Sequence, residues 1–136
     1  MSGVLITGGP PRHRRSGRDG PGAGRAIVFV GARAASAPPS GLAAIDTVKA
    51  AVRTALHCVA TELGRLGMRV NTAASGVAPT DLSRSMSVAV IDEIAGRTAM
   101  VRNAEADDVT AAIVGLLDSP FTTGATLAAD GSADLW

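Results

Sequence analysis

The sequence predicts an α/β protein: a small parallel sheet of about four strands with helices flanking it. Three observations carry this expectation. Ile45, Val48, Val52, Leu56, Val59 and Leu63 recur at three- and four-residue steps, which is one face of an α-helix. Ala26-Ile27-Val28-Phe29-Val30 is apolar throughout, as suits a parallel strand covered on both faces. The helix then passes to Met68-Arg69-Val70-Asn71 through Gly64 and Gly67, and glycine accepts the left-handed conformation at a helix end. Strand, helix and strand in close succession make a βαβ unit.

Val4-Leu5-Ile6-Thr7 reads as a buried strand that ends at Gly8-Gly9. Residues 10–24, PPRHRRSGRDGPGAG, have no apolar period and read as a flexible Arg/Gly/Pro loop. Arg12, Arg14, Arg15 and Arg18 face only Asp19 there; they form either an anion site or a solvated run, and His13 reads as solvated. The strand Arg25 to Val30 follows, then a loop from Gly31 to Ser40. The long helix spans Ile45 to Leu63, with Asp46 or Thr47 as its cap. After the strand at 68–73, Ser75-Gly76 turns the chain out. A short helix runs from Val88 to Ala95 and stops at Gly96. Glu105, Asp107 and Asp108 enrich the first turn of another helix, where carboxylates favour the positive end of the dipole. Its apolar positions are Val109, Ile113, Leu116 and Leu117, and Ser119-Pro120 ends it. Thr126 to Ala129 reads as the last strand. There is no internal repeat and no sign of a second domain.

The 136 residues suffice for one domain with a modest core. Hydrophobic content of 46% argues for a folded chain, and 2% aromatics mean a core of Ala, Val, Leu and Ile. A net charge of +1 implies no general pull toward nucleic acid or membrane, and base stacking has almost no aromatics to use. The lone Cys58 cannot form an internal disulfide, which suits a reducing cytoplasm. No apolar run approaches the ~20 residues of a membrane span, and the amino terminus does not read as a signal peptide. No Cys/His spacing suggests a metal site.

Four motifs in one order resemble the short-chain dehydrogenase/reductase family, over roughly residues 24 to 132. Lys49 falls at the lysine of its Tyr-x-x-x-Lys. Gly67-Met68-Arg69-Val70-Asn71 is similar to G-[IM]-R-V-N, and Gly76 and Thr80 match its P-G-x-V-x-T. Arg102 to Val109 resembles R-x-x-x-P-E-D-V. Thr123-Gly124-Ala125-Thr126-Leu127, followed by Asp130-Gly131, resembles T-G-x-x-[LI]…D-G. The resemblance implies a truncated, Rossmann-like parallel sheet and one partial domain over residues 1–136. Members are nearly twice this length. The strand at 4–7 resembles either the family's first strand or its fourth. The first needs a T-G-x-x-x-G-x-G loop, but Pro10 and Pro11 follow at once and no further glycine arrives in place. The fourth is the closer match, and on that reading the nucleotide-binding first half is absent from this sequence.

Family chemistry uses a Tyr hydroxyl for proton transfer, a Lys four residues later to lower its pKa and hold the ribose, and a Ser thirteen residues before the Tyr. Here Ile45 stands four before Lys49, and Ala32 stands thirteen before Ile45. The chain contains no tyrosine. Lys49 is therefore a vestigial catalytic candidate at most. It lies about 40° from the centre of the apolar stripe, where its ammonium either nears the strand ends or snorkels to water. Ser36, Ser40, Asp46, His57 and Cys58 are the replacements by type, but none has an evident partner. By resemblance Gly76 and Thr80 would lie along a nicotinamide carboxamide; otherwise they shape a turn. The expectation is a non-catalytic, reductase-like protein that binds no cofactor and associates with itself or with a full-length reductase. The alternative is an NAD(P)-dependent oxidoreductase acting on a carbonyl or alcohol.

Overall fold

The computed structural model describes residues 3–8, 24–32, 43–78 and 87–132, with backbone alone for 3–8 and for positions 43, 45 and 46. The loop expected at 10–24 lies almost wholly outside the described residues, as do Ser36, Ser40 and Thr80. The elements run β1 (Gly3–Gly8), β2 (Arg25–Ala32), α1 (Ala43–Gly64), β3 (Arg69–Ser75), α2 (Val88–Gly96), α3 (Ala106–Asp118) and β4 (Thr126–Ala129). The strands form one sheet in the order β1-β2-β3-β4. The pairs β2–β3 and β3–β4 are parallel, so β2-α1-β3 is the βαβ unit the helix and strand patterns predict.

One expectation is corrected. β1 pairs with β2 antiparallel, from Gly3 opposite Val30 to Gly8 opposite Arg25, so the sheet is not parallel throughout. A parallel return needs a crossover of about a dozen residues or more, usually a helix. The antiparallel pairing of β1 with β2 needs no such crossover. Neither assignment of the 4–7 strand to a parallel sheet fits this direction.

β3 lies inside the sheet and is buried from Val70 to Ala74. Its side chains alternate between faces. Ala73 meets Val28 of β2 and Leu116 of α3, with Ile113 and Leu117 packed beside them. Val70 and Thr72 face the other way, toward Leu56 and His57 of α1. The two helices therefore cover opposite faces of the sheet, which is what the continuous apolar runs of parallel strands require.

α1 begins at Ala43, so Asp46 and Thr47 sit inside the first turn and neither is the cap. The apolar stripe is also adjusted. Val52, Leu56, Val59 and Leu63 are half-buried, Val48 is 63% exposed, and among the described side chains of α1 only Ala60 is buried. A small side chain is what the closest approach of α1 to the sheet accommodates: a Cβ added at Gly124 would stand 3.7 Å from the Ala60 Cβ. After Gly64 the chain closes with Gly67 in the left-handed region (φ 79°) and Met68 N–H donating to Leu63 O (3.2 Å). Among the described residues no helix is long and apolar enough to cross a membrane.

Candidate functional site

The parallel strands end together. Ala32 of β2 and Ala129 of β4 both pair with Ser75, the last residue of β3. Gly76 follows, and its N–H donates to Ala129 O (3.0 Å). A Cβ at Gly76 would stand 3.0 Å from Asp130 Cα and 3.3 Å from Asp130 Cβ, so a side chain there collides with the β4 exit. Asp130 is buried, and its Oδ1 accepts from Ser132 N–H (3.0 Å). Gly76 is thus needed for close packing at the strand ends, whatever else it does.

Of the residues singled out in the sequence, the fold brings Ala32 and Gly76 to this carboxyl edge. Lys49 lies in the second turn of α1 and is half-buried. Ile45 lies in the first turn and is described as backbone alone. His57 and Cys58 are exposed further along α1. His57 Nδ1 donates to Gly124 O (3.2 Å), which ties it to the segment entering β4, at the amino end of the sheet. Sequence reasoning missed Ser75. Its hydroxyl stands beside Ala32 and donates a long hydrogen bond to Gly31 O (3.4 Å). Only the β2–β3 register reveals that neighbour, since 43 residues separate the two positions in the chain. A serine hydroxyl here can orient a ligand oxygen. Proton transfer to that oxygen requires a further group with a matched pKa.

The other motif residues build the scaffold. Arg69 reaches the end of α3, donating to Leu116 O (2.8 Å) and Leu117 O (2.7 Å), two carbonyls the helix cannot satisfy itself. Burial lowers its pKa and Asp118 opposes that shift. Asn71 spans the segment before β4: its Nδ2 donates to Thr122 O (2.8 Å), and its Oδ1 accepts from Ala125 N–H (3.1 Å). Arg102 grips Asp108 with two hydrogen bonds, of 2.6 and 2.9 Å, and Glu105 N–H donates to the same carboxylate (2.8 Å). These hold the Asp108 carboxyl well below the usual carboxylate range, the Arg102 hydrogen bonds contributing most, and raise Arg102. Among the described residues no three His, Cys, Asp or Glu side chains gather as a metal site would require.

The family model described as enoyl-(acyl carrier protein) reductase matches residues 18–132. L-xylulose reductase of Caenorhabditis elegans is 33% identical over 109 residues, which are 77% of this chain and 43% of that protein. The crystal structure of a Burkholderia cenocepacia short chain dehydrogenase in complex with NADP superposes with a TM-score of 0.76 at 28% identity, over 83% of this chain and 47% of that one. A small-chain dehydrogenase in complex with NADPH gives a TM-score of 0.73 at 19% identity, over 81% and 51% respectively; at that identity it speaks for the fold alone. The chain spans less than half the length of the curated relative it matches. β1 and the Arg-rich run as far as Gly17 lie outside the family match.

Proposed function

The chain belongs to the short-chain dehydrogenase/reductase family, and from that premise we propose that it is a reductase-like subunit that acts by association, without hydride transfer of its own. The observation that supports this most is the pair of substitutions at the reactive positions: Ile45 four residues before Lys49, and Ala32 thirteen before Ile45. A sec-butyl side chain has no proton to give, and a methyl group cannot position a substrate oxygen. Both positions lie inside the matched span, so the reading does not depend on where the chain begins. General acid–base catalysis is typically worth ~10²–10⁴-fold, and its loss at this position is not made good by any tyrosine in the sequence. The partner is a second copy or a full-length reductase, consistent with the apolar Val48 and Leu127 left on α1 and on the edge strand β4.

The test is a cofactor-dependent assay on the purified chain. We expect no oxidation of NADH or NADPH with carbonyl substrates above the rate without protein. Turnover that persists through stringent purification overturns the reading. A second reading, an NAD(P)-dependent oxidoreductase, draws on the L-xylulose reductase relative and on the NADP-bound neighbour at 28% identity. On that reading Lys49, Gly76 and Thr80 would contact the cofactor. Fluorescence titration with NADPH separates the two: saturable binding favours the second, and its absence the first.

A further inference from the structure

Among the described residues the sheet has two edges, β1 and β4. β4 is four residues long, and short edges resist unwanted pairing. β1 is the longer edge, six residues over Gly3–Gly8, and GVLITG has no charge and no proline to block a second strand. Each of its residues pairs with β2 on the inner side. On the outer side alternate residues direct N–H and C=O groups away from β2, and among the described residues no strand receives them. Its faces are open as well. α1 and α3 both pack against β2 and β3, and neither makes more than marginal contact with β1. Such an edge specifies the kind of occupant it takes, because a row of outward amides and carbonyls is matched by another strand. β1 lies outside the span shared with the family, so its partner is read from its own sequence.

We propose that β1 pairs antiparallel with β1 of a second copy, joining two four-stranded sheets into one of eight. This rests on the association proposed above and gives it a surface. The symmetry restricts the register. In a two-fold antiparallel pair, hydrogen-bonded positions face hydrogen-bonded positions, so each residue faces one an even number of places away. Centring the axis on Leu5 sets Leu5 against Leu5 and Val4 against Ile6, which makes three apolar cross-strand pairs. Centring it on Ile6 leaves one, with Leu5 against Thr7 and Val4 against Gly8. The Leu5 axis is the favoured register. Charge agrees with the direction. The run from Arg12 to Arg18 follows Gly8 in the sequence, so antiparallel pairing starts the two runs from opposite ends of the joint. Parallel pairing would set them side by side, like charge against like. A second copy, rather than a different protein, follows because this uncharged edge matches itself pair for pair.

Sedimentation velocity of the full chain, from micromolar to hundred-micromolar concentration, should show twice the 13.6 kDa mass at the upper end. Leu5→Lys sets two like charges across the axis and should weaken the dimer by about tenfold or more, with the circular dichroism unchanged. Disulfide trapping serves if that variant fails to fold. On a Cys58→Ser background, which removes the chain's own cysteine, Leu5→Cys should link two chains under mild oxidation. Val4→Cys should not, because its counterpart in the copy stands diagonally across, beyond the ~7 Å between Cα atoms that a disulfide spans. A monomer throughout the range overturns the proposal. So does a dimer that survives Leu5→Lys and forms no link through Leu5→Cys, which places the association on another face. Either failure is distinct from that of the non-catalytic reading, which falls by NADPH turnover whatever the mass.

Discussion

Gly76 and Lys49 separate packing from chemistry at single positions. Gly76 has Asp130 backbone where a side chain would go, 3.0 Å from an added Cβ, and backbone cannot move aside as a flexible side chain can. Gly76→Ala should therefore destabilise the fold by about 1–3 kcal/mol, the usual cost of overpacking, read as a lower denaturant midpoint. Lys49 is different. It is half-buried on α1, and among the described residues its ammonium has no hydrogen bond or ion pair. Lys49→Met should change stability by no more than about 0.5 kcal/mol, as surface substitutions usually do. A larger loss would show a specific partner for the ammonium. Arg69 lies between these cases. Its two bonds close the carboxyl end of α3, and Arg69→Met should cost about 1–3 kcal/mol by leaving Leu116 O and Leu117 O with only water to accept from.

The entrance to α3 is held by charge and by a strained turn. Asp108 accepts from Arg102 and from Glu105 N–H, so the folded state holds the carboxylate's proton more weakly than the unfolded chain does. Its stabilisation is complete above the ordinary value of 3.8 and is lost as pH falls below it. Asp108→Asn should flatten the acid limb of the melting temperature against pH, and salt should weaken the effect because the pair is exposed. The turn before it is anchored by buried Thr98, whose Oγ1 donates to Ala95 O (2.9 Å) and accepts from Arg102 N–H (3.1 Å). That anchoring holds Val101 at φ 52°, a left-handed conformation that a β-branched residue rarely adopts. Asparagine tolerates it, and Val101 is exposed, so Val101→Asn should stabilise the protein by up to about 1 kcal/mol, measured by thermal unfolding.

For the molecule as a whole, the proposed association has a physical motive. Phe121 is fully exposed, and Leu127 on the edge strand β4 is 42% exposed. Leaving ~600 Å² of apolar surface in water would forgo about 15 kcal/mol at ~25 cal/mol per Å², more than the net stability of many domains. Light scattering at micromolar concentration should give a mass above 13.6 kDa, or a monomer that binds an apolar dye and recruits an added reductase. A folded monomer without dye-binding surface would remove the motive for association.

The sequence alone determined the elements and the substituted positions. The helical stripe, the glycine stop at Gly64–Gly67, the acidic first turn of α3 and the strand at Thr126–Ala129 are local patterns, and local patterns are written in neighbouring residues. Ile45 before Lys49 and the lack of tyrosine needed no structure either. Tertiary structure decided what depends on pairing between distant segments. The direction of β1 is set by how its chain returns to β2, and an apolar strand reads the same in both directions. Ser75 stands beside Ala32 only through the β2–β3 register. The His57 ring meets Gly124 O because the segment entering β4 lies beneath α1, a contact between residues more than fifty apart in the chain. No periodicity records such a contact, because the forces that make it act across the sheet and not along the chain.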